Sequence, residues 1–484
     1  MGWMNKKQSI CELISLACGA LLFFLGIVQG ISFKAHLFVS SLFLIGAAGL
    51  YFFIVYCVDD GNVLSVKALF TAMWLATIGL ANAKLLDYQK EWAVETWLVL
   101  GGAYVAFHVG ALIGGRWSDR LLEPLQRHTS FGKRLRIRFD GDRLFGICLG
   151  VSLFGIACFC VNVLIKGYIP FFVSDDYLAY YSFYTRLCVF VVASTAVSGL
   201  CYYTIRTQTI SRLKKAILYV CIALEVFVIP MLMVSRGNQM IAMLPLMVSV
   251  VALNRKKLLT FILCMAVAFG FYQVGSYARN LSGEFLNYVF QPKKIAIEQK
   301  EEIPSTGNTS LPVEGTEEKR EDKTFQLSPS MAFLYGYFTV SHDNLNEAVL
   351  HHTQWTHGLR QVYPFTTVIR IPGLREKIDA LEFYQVGESL NTANLIADAY
   401  YDFGPIGSVV FMLLWAMVFG VIERRFLSRR GPFAMLAYGT TMVPVVLCFF
   451  ESWMSIFALW LLWGMDFVLF LADTVHIERR NESK

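Results

Sequence analysis

The chain has 484 residues, of which 56% are hydrophobic and only 16% are charged, and its formal net charge is +6. A mean hydropathy of +0.52 excludes an ordinary soluble domain, because such a domain needs a far more polar composition. Inside lipid the backbone has no water to bond, so only helices and closed barrels can span a membrane. The apolar runs are continuous and lack the alternation of barrel strands, which predicts an all-α polytopic membrane protein.

The apolar runs predict about 12 transmembrane helices, each near the length that a bilayer requires. They are placed at residues 10–32, 36–58, 69–84, 93–115, 145–165, 187–205, 216–234, 240–254, 258–276, 405–422, 432–450 and 455–472. The first run follows Lys6 and Lys7. It is too long for the core of a signal peptide and lacks a convincing cleavage site, so we expect a retained anchor.

The distribution of Lys and Arg predicts which side of the membrane each loop faces. With the N-terminus inside, cations concentrate in the tails and inner loops, above all between Arg116 and Arg143, as the positive-inside rule requires. The short outer loops then hold only Lys34, Lys84, Lys90, Lys166, Arg186 and Arg236. Both termini are therefore predicted to be cytoplasmic.

One large polar loop, residues 277–404, separates spans 9 and 10 and is extracytoplasmic in this topology. It divides the chain into an N-terminal bundle at 1–276, the loop itself, and C-terminal helices with a tail at 405–484. Loops of this length tend to be functional or disordered. Residues 292–330 are rich in Glu, Lys, Ser, Thr and Pro, which predicts a disordered insert. Aromatic residues return from Met331 onward, so we expect that part to be ordered and packed on the helix ends.

Three outer arginines run against the inside bias. Arg236 lies in a short SRGN turn, Arg279 lies at the outer end of the ninth span, and Arg186 ends an aromatic-rich outer loop. An arginine at the membrane surface can simply extend its charge to the lipid headgroups. Two of them in one leaflet beside the large loop also fit an anion site, because guanidinium groups bind phosphate oxygens in pairs and keep their charge. The sequence leaves both interpretations open.

The large loop also holds a cluster of histidines. Four of the eight in the chain lie close together there: His342, His351, His352 and His357. Zinc is not indicated, because neither HExxH nor a carboxylate at ligand spacing accompanies them, and the eleven cysteines all fall in predicted spans. We therefore expect no metal and no cofactor. His342 and Asp343 follow the apolar run MAFLYGYFTV, where either could take a proton from a hydroxyl.

Further polar residues border or interrupt the spans. Those that lead into the tenth span are Asn391, Thr392, Asp398 and Asp402. Gly404 and Pro405 predict a turn followed by a helix start. Glu225 inside the seventh span and Glu451 at the outer end of the eleventh are costly in lipid unless they are paired, which makes both functional candidates.

The topology limits the chemistry that an outer site could perform. No nucleotide-activated donor exists outside the cytoplasmic membrane, so a transferred group must bring its own leaving group. A lipid-linked pyrophosphate meets this need. It requires apolar helices for its polyprenyl tail, cations at headgroup level for its diphosphate and a polar loop for its sugars, and this chain offers all three.

The predicted outer segments carry short motifs in this order: G-x-I-P at Gly167–Pro170, S-R-G-N around Arg236, Y-x-R ending at Arg279, Y-x-Y-F-T-x-x-H-D-N at Tyr335–Asn344, and N-T-x-N followed by D-F-G-x-x-G at Asn391–Gly407. The order of these motifs resembles that of the Wzy-type oligosaccharide repeat-unit polymerases. The resemblance covers residues 166–425.

The resemblance implies transfer of a growing glycan from undecaprenyl pyrophosphate to the next lipid-linked repeat unit. Arg236 and Arg279 would bind the pyrophosphate, and His342 or Asp343 would activate the acceptor hydroxyl. The other residues implied in substrate binding are Arg186, Tyr335, Tyr337, Asn391, Thr392, Asp398 and Asp402. The implied setting is the bacterial cytoplasmic membrane, with a flippase and a chain-length regulator of the same pathway as partners and without nucleic acid.

Three other classes of protein remain alternatives. An O-antigen ligase, or another lipid-linked glycosyltransferase, would use the same donor and a similar topology. A repeat-unit flippase would need charges along a central cavity and short outer loops, whereas these spans hold few ionisable residues and one outer loop is long. A binding or regulatory membrane protein would not need the paired outer arginines.

Overall fold

The computed structural model describes residues 37–59, 61–127, 141–173, 185–279, 327–366, 372–387, 390–429 and 431–474, with Phe24, Val28, Phe183 and the pairs 295–296 and 324–325. The first helices are α1 (Leu37–Val58), α2 (Val66–Asn82), α3 (Val94–Arg127), α4 (Gly141–Lys166), α5 (Arg186–Thr195), α6 (Val197–Thr207), α7 (Arg212–Ile222), α8 (Ile229–Leu232), α9 (Arg236–Leu253) and α10 (Lys257–Arg279). The later ones are α11 (Pro329–His351), α12 (Leu359–Thr366), α13 (Leu374–Asp379), α14 (Ala397–Arg429), α15 (Pro432–Val446) and α16 (Phe457–Thr474).

Within the described residues, six helical segments are long and apolar enough to cross a membrane: Val39–Val58, Val94–Ser118, Gly141–Lys166, Arg186–Thr207, Arg212–Leu232 and Ala397–Leu427. In the same part of the chain, five shorter apolar helices accompany them, at Val66–Asn82, Gly237–Leu253, Lys257–Phe271, Pro432–Val446 and Phe457–Val468. These helices confirm the predicted class of an α-helical polytopic membrane protein. The predicted first span, 10–32, lies outside the described residues except for Phe24 and Val28, so the number of twelve spans stays a prediction.

Local sequence explains where several helices begin. Ser211, Ser235 and Ser328 each precede a helix, and each hydroxyl accepts a hydrogen bond from the backbone N–H three residues later. Such caps satisfy an amide that has no partner inside the helix. Pro329 and Pro432 occupy the first positions of α11 and α15, where the missing N–H of proline costs nothing.

Glycines allow α3 and α14 to pack with their backbones almost in contact. A β-carbon on Gly110 would lie 2.3 Å from the carbonyl oxygen of Leu413, and one on Gly114 would lie 2.0 Å from that of Met417. Gly420 on α14 approaches the backbone of α3 in the same way. Small residues spaced four apart produce this geometry between membrane helices, so this pair forms a rigid spine of the bundle.

Several segments that are distant in the sequence meet at one end of the bundle, which we name the loop end and define as residues 83–93, 329–366, 372–387, 390–396 and 447–456. Helices α9 and α10 form an antiparallel hairpin through residues 254–256, so Arg236 and Arg279 lie at the same end of that hairpin. That end is the loop end, because a β-carbon on Gly237 would lie 3.8 Å from the ring of Phe450.

The large loop contributes helices to this end. Helix α11 packs against α2 and α3, and α12 packs against α14 and the 3-10 turn Trp453–Ser455. Most of the predicted insert, 292–330, lies outside the described residues. Within it, Ile295–Ala296 and Thr324–Phe325 form a short antiparallel ladder in which Ile295 pairs with Phe325, so the two ends of this segment lie side by side.

The structure changes the predicted start of the tenth span. Helix α14 begins at Ala397, before the turn expected at Gly404 and Pro405, and Gly404 interrupts it with φ 72° and ψ −168°. A side chain at Gly404 would also lie 2.9 Å from the ring of Trp355. Only glycine adopts this conformation without strain, so the predicted turn exists as a kink inside a longer helix.

The glycine spine generates a stability prediction. Gly114→Ala should lower the melting temperature of the purified protein in detergent, because the added methyl must displace the backbone at Met417 and overpacking costs about 1–3 kcal/mol. Gly115→Ala is the matched control, since nothing lies within 4 Å of a β-carbon at Gly115. Equal melting temperatures for the two variants would contradict the close packing of α3 on α14.

Candidate functional site

Asp343 lies at the centre of a buried hydrogen-bonded cluster, which we name the Asp343 clamp. Its Oδ1 lies 2.9 Å from Lys84 Nζ and accepts a hydrogen bond from Trp92 Nε1 at 2.8 Å, while Oδ2 accepts one from Gln89 Nε2 at 2.8 Å. Lys84 Nζ also lies 4.0 Å from the centre of the Trp92 ring. A buried charge is tolerated only with such partners. The clamp therefore fixes α11 to the connection between α2 and α3.

Other side chains on the same face of α11 extend the clamp. The Tyr335 hydroxyl donates to the backbone oxygen of Leu80 at 2.7 Å. Asn346 Oδ1 accepts hydrogen bonds from Ala93 N and Thr96 Oγ1, both at 2.8 Å. Residues that lie three or four apart share one face of a helix, so α11 is attached to the C-terminal end of α2 and the N-terminal end of α3 over several turns.

His342 is enclosed between α2 and the segment that precedes α14. Its Nε2 lies 3.0 Å from the hydroxyl of Thr77, its Nδ1 lies 3.4 Å from Asn394 Nδ2, and the side chain has no exposed surface. Burial, together with the nearby positive charge of Lys84, lowers the pKa of His342 to about 3. The imidazole is therefore neutral above that pH and only weakly basic.

The burial of His342 and Asp343 bears on the prediction that one of them acts as the catalytic base. His342 is 0% exposed and Asp343 only 2%. The polar atoms of both side chains lie within hydrogen-bonding distance of neighbours within the protein. Neither lies where an acceptor hydroxyl could reach it. A catalytic role for either stays an untested prediction that this arrangement does not favour, and the structure instead gives both the role of positioning α11.

The three arginines that the sequence predicts on the outer side lie at helix ends. Arg236 is the first residue of α9, directly after the cap Ser235, and Arg279 is the last residue of α10. Arg186 begins α5 and is exposed. The side chains of Arg236 and Arg279 lie outside the described part of the structure, so their predicted grip on a pyrophosphate stays a prediction.

Arg360 organises a second group of polar and aromatic residues at the loop end, which we name the Arg360 cluster. Its guanidinium carbon lies 4.0 Å above the Tyr401 ring, and its Nη1 lies 3.7 Å from Asp398 Oδ1. Its Nη2 donates to the backbone oxygen of Glu382. Its Nε is buried and has no hydrogen-bond partner among the described residues. An orphaned donor on a buried charge requires an explanation.

Asp402 acts as a remote cap for α12. Its carboxylate accepts hydrogen bonds from the backbone N–H of Arg360 at 3.1 Å and of Gln361 at 3.0 Å, and from the Thr356 hydroxyl. A carboxylate at a helix N-terminus satisfies amides that have no partner in the helix and favours the helix dipole. Asp402 is 0% exposed, so the structure gives it a structural role, and its predicted contact with substrate stays a prediction.

The remaining predicted binding residues differ in their surroundings. Asn391 is exposed, and the buried hydroxyl of Thr392 has no partner among the described residues. Tyr337 is half-buried and stacks on Phe450 with 5.9 Å between ring centres. Tyr335, by contrast, is 7% exposed and belongs to the Asp343 clamp. Tyr337 and Asn391 therefore keep a surface for a ligand, whereas Tyr335 does not.

Glu451 lies beside the Arg360 cluster, in the connection between α15 and α16. Burial and the negative charge of Asp398 raise the pKa of Glu451 to about 8. The side chain is nevertheless only partly covered. Ser452, the next residue, and Ser455, in the following 3-10 turn, have buried hydroxyls that interact with the Asp398 carboxyl. A carboxyl that titrates near neutral pH is suited to proton transfer.

Strained backbone marks the same end of the molecule. In the described part of the chain, the non-glycine residues with positive φ are Lys84 at 52°, Val234 at 52° and His357 at 51°. This conformation is unfavourable for any side chain and especially for the β-branched valine. Lys84 belongs to the Asp343 clamp, Val234 lies two residues before Arg236, and His357 lies three before Arg360. Such strain tends to cluster at functional sites.

Glu225 lies apart from the residues gathered at the loop end. It is 1% exposed, on the π-helical turn Ala223–Val228 within a helix of membrane-spanning length. A β-carbon on Gly155 would lie 1.8 Å from the hydroxyl oxygen of Ser194, so this glycine leaves room for Ser194 beside the carboxyl. Single π turns often accompany functional sites, and the role predicted for Glu225 stays open.

Sequence reasoning missed most partners in these clusters. Lys84 carried a signal, since it was one of few cations in the short outer loops, and Arg360 was one of several arginines available in the large loop. Gln89 and Trp92 carried none, because a glutamine and a tryptophan near a membrane surface are unremarkable by themselves. Among the described residues, no group of three or more His, Cys, Asp or Glu side chains is arranged to hold a metal ion.

The Asp343 clamp generates a second stability prediction. Lys84→Met should destabilise the protein by about 3–5 kcal/mol, because it leaves a buried carboxylate without its counter-charge. Lys90→Met is the matched control, since Lys90 pairs with Glu347 at 3.4 Å while 71% exposed, and surface pairs are worth about 1 kcal/mol or less. Unfolding in detergent measures both, and equal losses of stability would argue against a buried clamp.

Comparison of the whole chain with protein-family models, curated proteins and solved structures finds no match of any of the three kinds.

Proposed function

We propose that this protein is a polymerase that joins undecaprenyl-pyrophosphate-linked oligosaccharide repeat units into a surface polysaccharide. The product class is O-antigen, capsule or exopolysaccharide. The reaction is glycosyl transfer at the outer face of the bacterial cytoplasmic membrane, in a chain with about 12 spans and both termini in the cytoplasm.

One observation carries the proposal: motifs that lie far apart in the sequence meet at the loop end. Asn344, which ends the Y-x-Y-F-T-x-x-H-D-N motif, donates to the backbone oxygen of Thr392 in the N-T-x-N motif at 2.8 Å. His342 and Asn394, from the same two motifs, are 3.4 Å apart. Two of the motifs by which the sequence resembles the Wzy-type polymerases are therefore in contact, which supports the proposal of a common site.

The S-R-G-N turn belongs to the same neighbourhood. Gly237, the residue after Arg236, lies against Phe450, and Phe450 stacks on Tyr337 of α11. Arg279 lies at the same end of the α9–α10 hairpin. Two guanidinium groups here would bind a diphosphate at headgroup level and stabilise the charge that develops on it as it leaves.

The position of the site relative to the apolar helices also suits this substrate. Helices of membrane-spanning length lead directly into the loop end, so a polyprenyl tail could remain in lipid while its sugars reach the helices of the large loop. A flippase would need a polar path through the bundle. The described polar clusters that contain cations at this end, around Lys84 and Arg360, lie at helix ends.

Deletion of the gene followed by glycan electrophoresis tests the assignment. Loss of a polymerase should leave single capped repeat units in place of a ladder of chain lengths. Polymer retained on the carrier lipid would instead identify a ligase, and repeat units trapped on the inner side would identify a flippase. Either of the last two results would overturn the proposal.

Arginine variants test the proposed pyrophosphate site. Arg236→Ala and Arg279→Ala should each abolish the ladder, because each removes a charge that holds the leaving group, with protein still present in the membrane. Arg255→Ala is the matched control, since Arg255 is exposed in the connection at the opposite end of the same helical hairpin. Full ladders from both Arg236→Ala and Arg279→Ala would remove the assignment of this site.

A further inference from the structure

Unpaired polar groups converge where α12 meets the 3-10 turn Trp453–Ser455. The buried donors Arg360 Nε and Gln361 Nε2 lack hydrogen-bond partners among the described residues, whereas the buried hydroxyls of Ser452 and Ser455 interact with the Asp398 carboxyl. Helix α12 packs directly on this turn. Buried donors without partners cost free energy, and two on consecutive residues indicate a ligand that supplies lone pairs.

Aromatic side chains border these groups. Trp355 is 37% exposed and lies against Tyr400, while Tyr401 lies beneath the Arg360 guanidinium. Rings beside a few convergent polar groups are the usual lining of a site for a small organic ligand. A sugar fits both features, because its C–H face is apolar and its edge carries hydroxyl groups.

We propose that this region binds the sugar of the incoming repeat unit and that Glu451 accepts the proton of its attacking hydroxyl, an inference that rests on the polymerase function proposed above. Glu451 has the position that this role requires. It directly follows Phe450, which contacts both Tyr337 and the helix start beside Arg236, and it precedes Ser452. It therefore lies between the segment proposed to hold the donor and the Arg360 cluster.

The proposed reaction is a nucleophilic substitution at the anomeric carbon of the donor glycan. The acceptor hydroxyl oxygen forms a bond to the anomeric carbon of the donor glycan, and the bond from that carbon to the pyrophosphate oxygen breaks. Undecaprenyl pyrophosphate leaves with the bonding electron pair. The hydroxyl proton moves to the Glu451 carboxylate, which later releases it to water.

The environment of Glu451 suits a base better than that of His342 or Asp343. Asp343 already accepts hydrogen bonds from three side chains, and His342 is enclosed. Glu451 is partly open, and the charged side chains described near it are Asp398 and the Arg360 that pairs with Asp398. Its raised pKa makes the carboxylate a stronger base than an ordinary glutamate.

The pH dependence of polymerisation tests the assignment. The carboxylate form is the active one, so the rate should rise with pH and level off above about 8, the pKa of Glu451. Asp398→Asn should move this inflection to lower pH, because it removes the negative charge that raises the pKa. Glu451→Gln should lower the rate about 100-fold or more and abolish the inflection, while Glu451→Asp should restore part of the rate.

The assay uses purified full-length protein with lipid-linked repeat units in detergent, and melting temperatures verify that each variant folds. Glu376→Gln, exposed on α13, is the control and should keep the rate and pH profile of the wild type. A Glu451→Gln variant with the wild-type rate, or a wild-type inflection unmoved by Asp398→Asn, would overturn the role of Glu451 and leave the polymerase proposal intact. A wild-type protein that elongates no supplied repeat unit at any pH would overturn both.

Discussion

The arrangement of the loop end depends on one buried ion pair, between Lys84 and Asp343. Lys84 belongs to the short connection after α2, and Asp343 belongs to a helix that comes 259 residues later. A carboxylate and an ammonium group are stable away from water only when they neutralise each other and their remaining hydrogen-bonding capacity is used. Gln89 and Trp92 supply that capacity. The pair therefore specifies where α11 lies, and α11 in turn positions the segment that leads into α14.

Two polar clusters occur at the loop end, and they differ in whether their polar atoms already have hydrogen-bond partners. In the Asp343 clamp the carboxylate and its donors satisfy one another, which holds segments together but leaves no atom for a substrate. In the Arg360 cluster the buried donors Arg360 Nε and Gln361 Nε2 lack partners among the described residues. Satisfied networks stabilise a unique arrangement, whereas unsatisfied donors are available to bind a ligand. The Asp343 clamp, which holds segments together, and the Arg360 cluster, which keeps donors for a ligand, are thus adjacent but separate.

The backbone conformation just before two arginines, Arg236 and Arg360, is also fixed by its surroundings. Val234 and His357 hold unfavourable positive φ angles just before Arg236 and Arg360, so the surrounding packing determines the conformation of both turns. Helix α3 supports α14 rigidly, because glycines on both helices bring the two backbones into contact. An arginine that is presented from a fixed turn can hold an anionic or polar ligand without first losing much conformational freedom.

The sequence by itself determined the membrane class and the approximate positions of the helices, because continuous apolar runs allow no other structure in lipid. It also identified Glu225 and Glu451 as costly in lipid, since that cost depends on residue type and location in a span, and it identified Arg236 and Arg279 as cations that run against the inside bias. Only the tertiary structure decided which polar residues are partners. His342 and Asp343 looked like free catalytic groups until Thr77, Lys84, Gln89 and Trp92 were brought to them, and contacts between residues so distant in the chain leave no periodic signal in a single sequence.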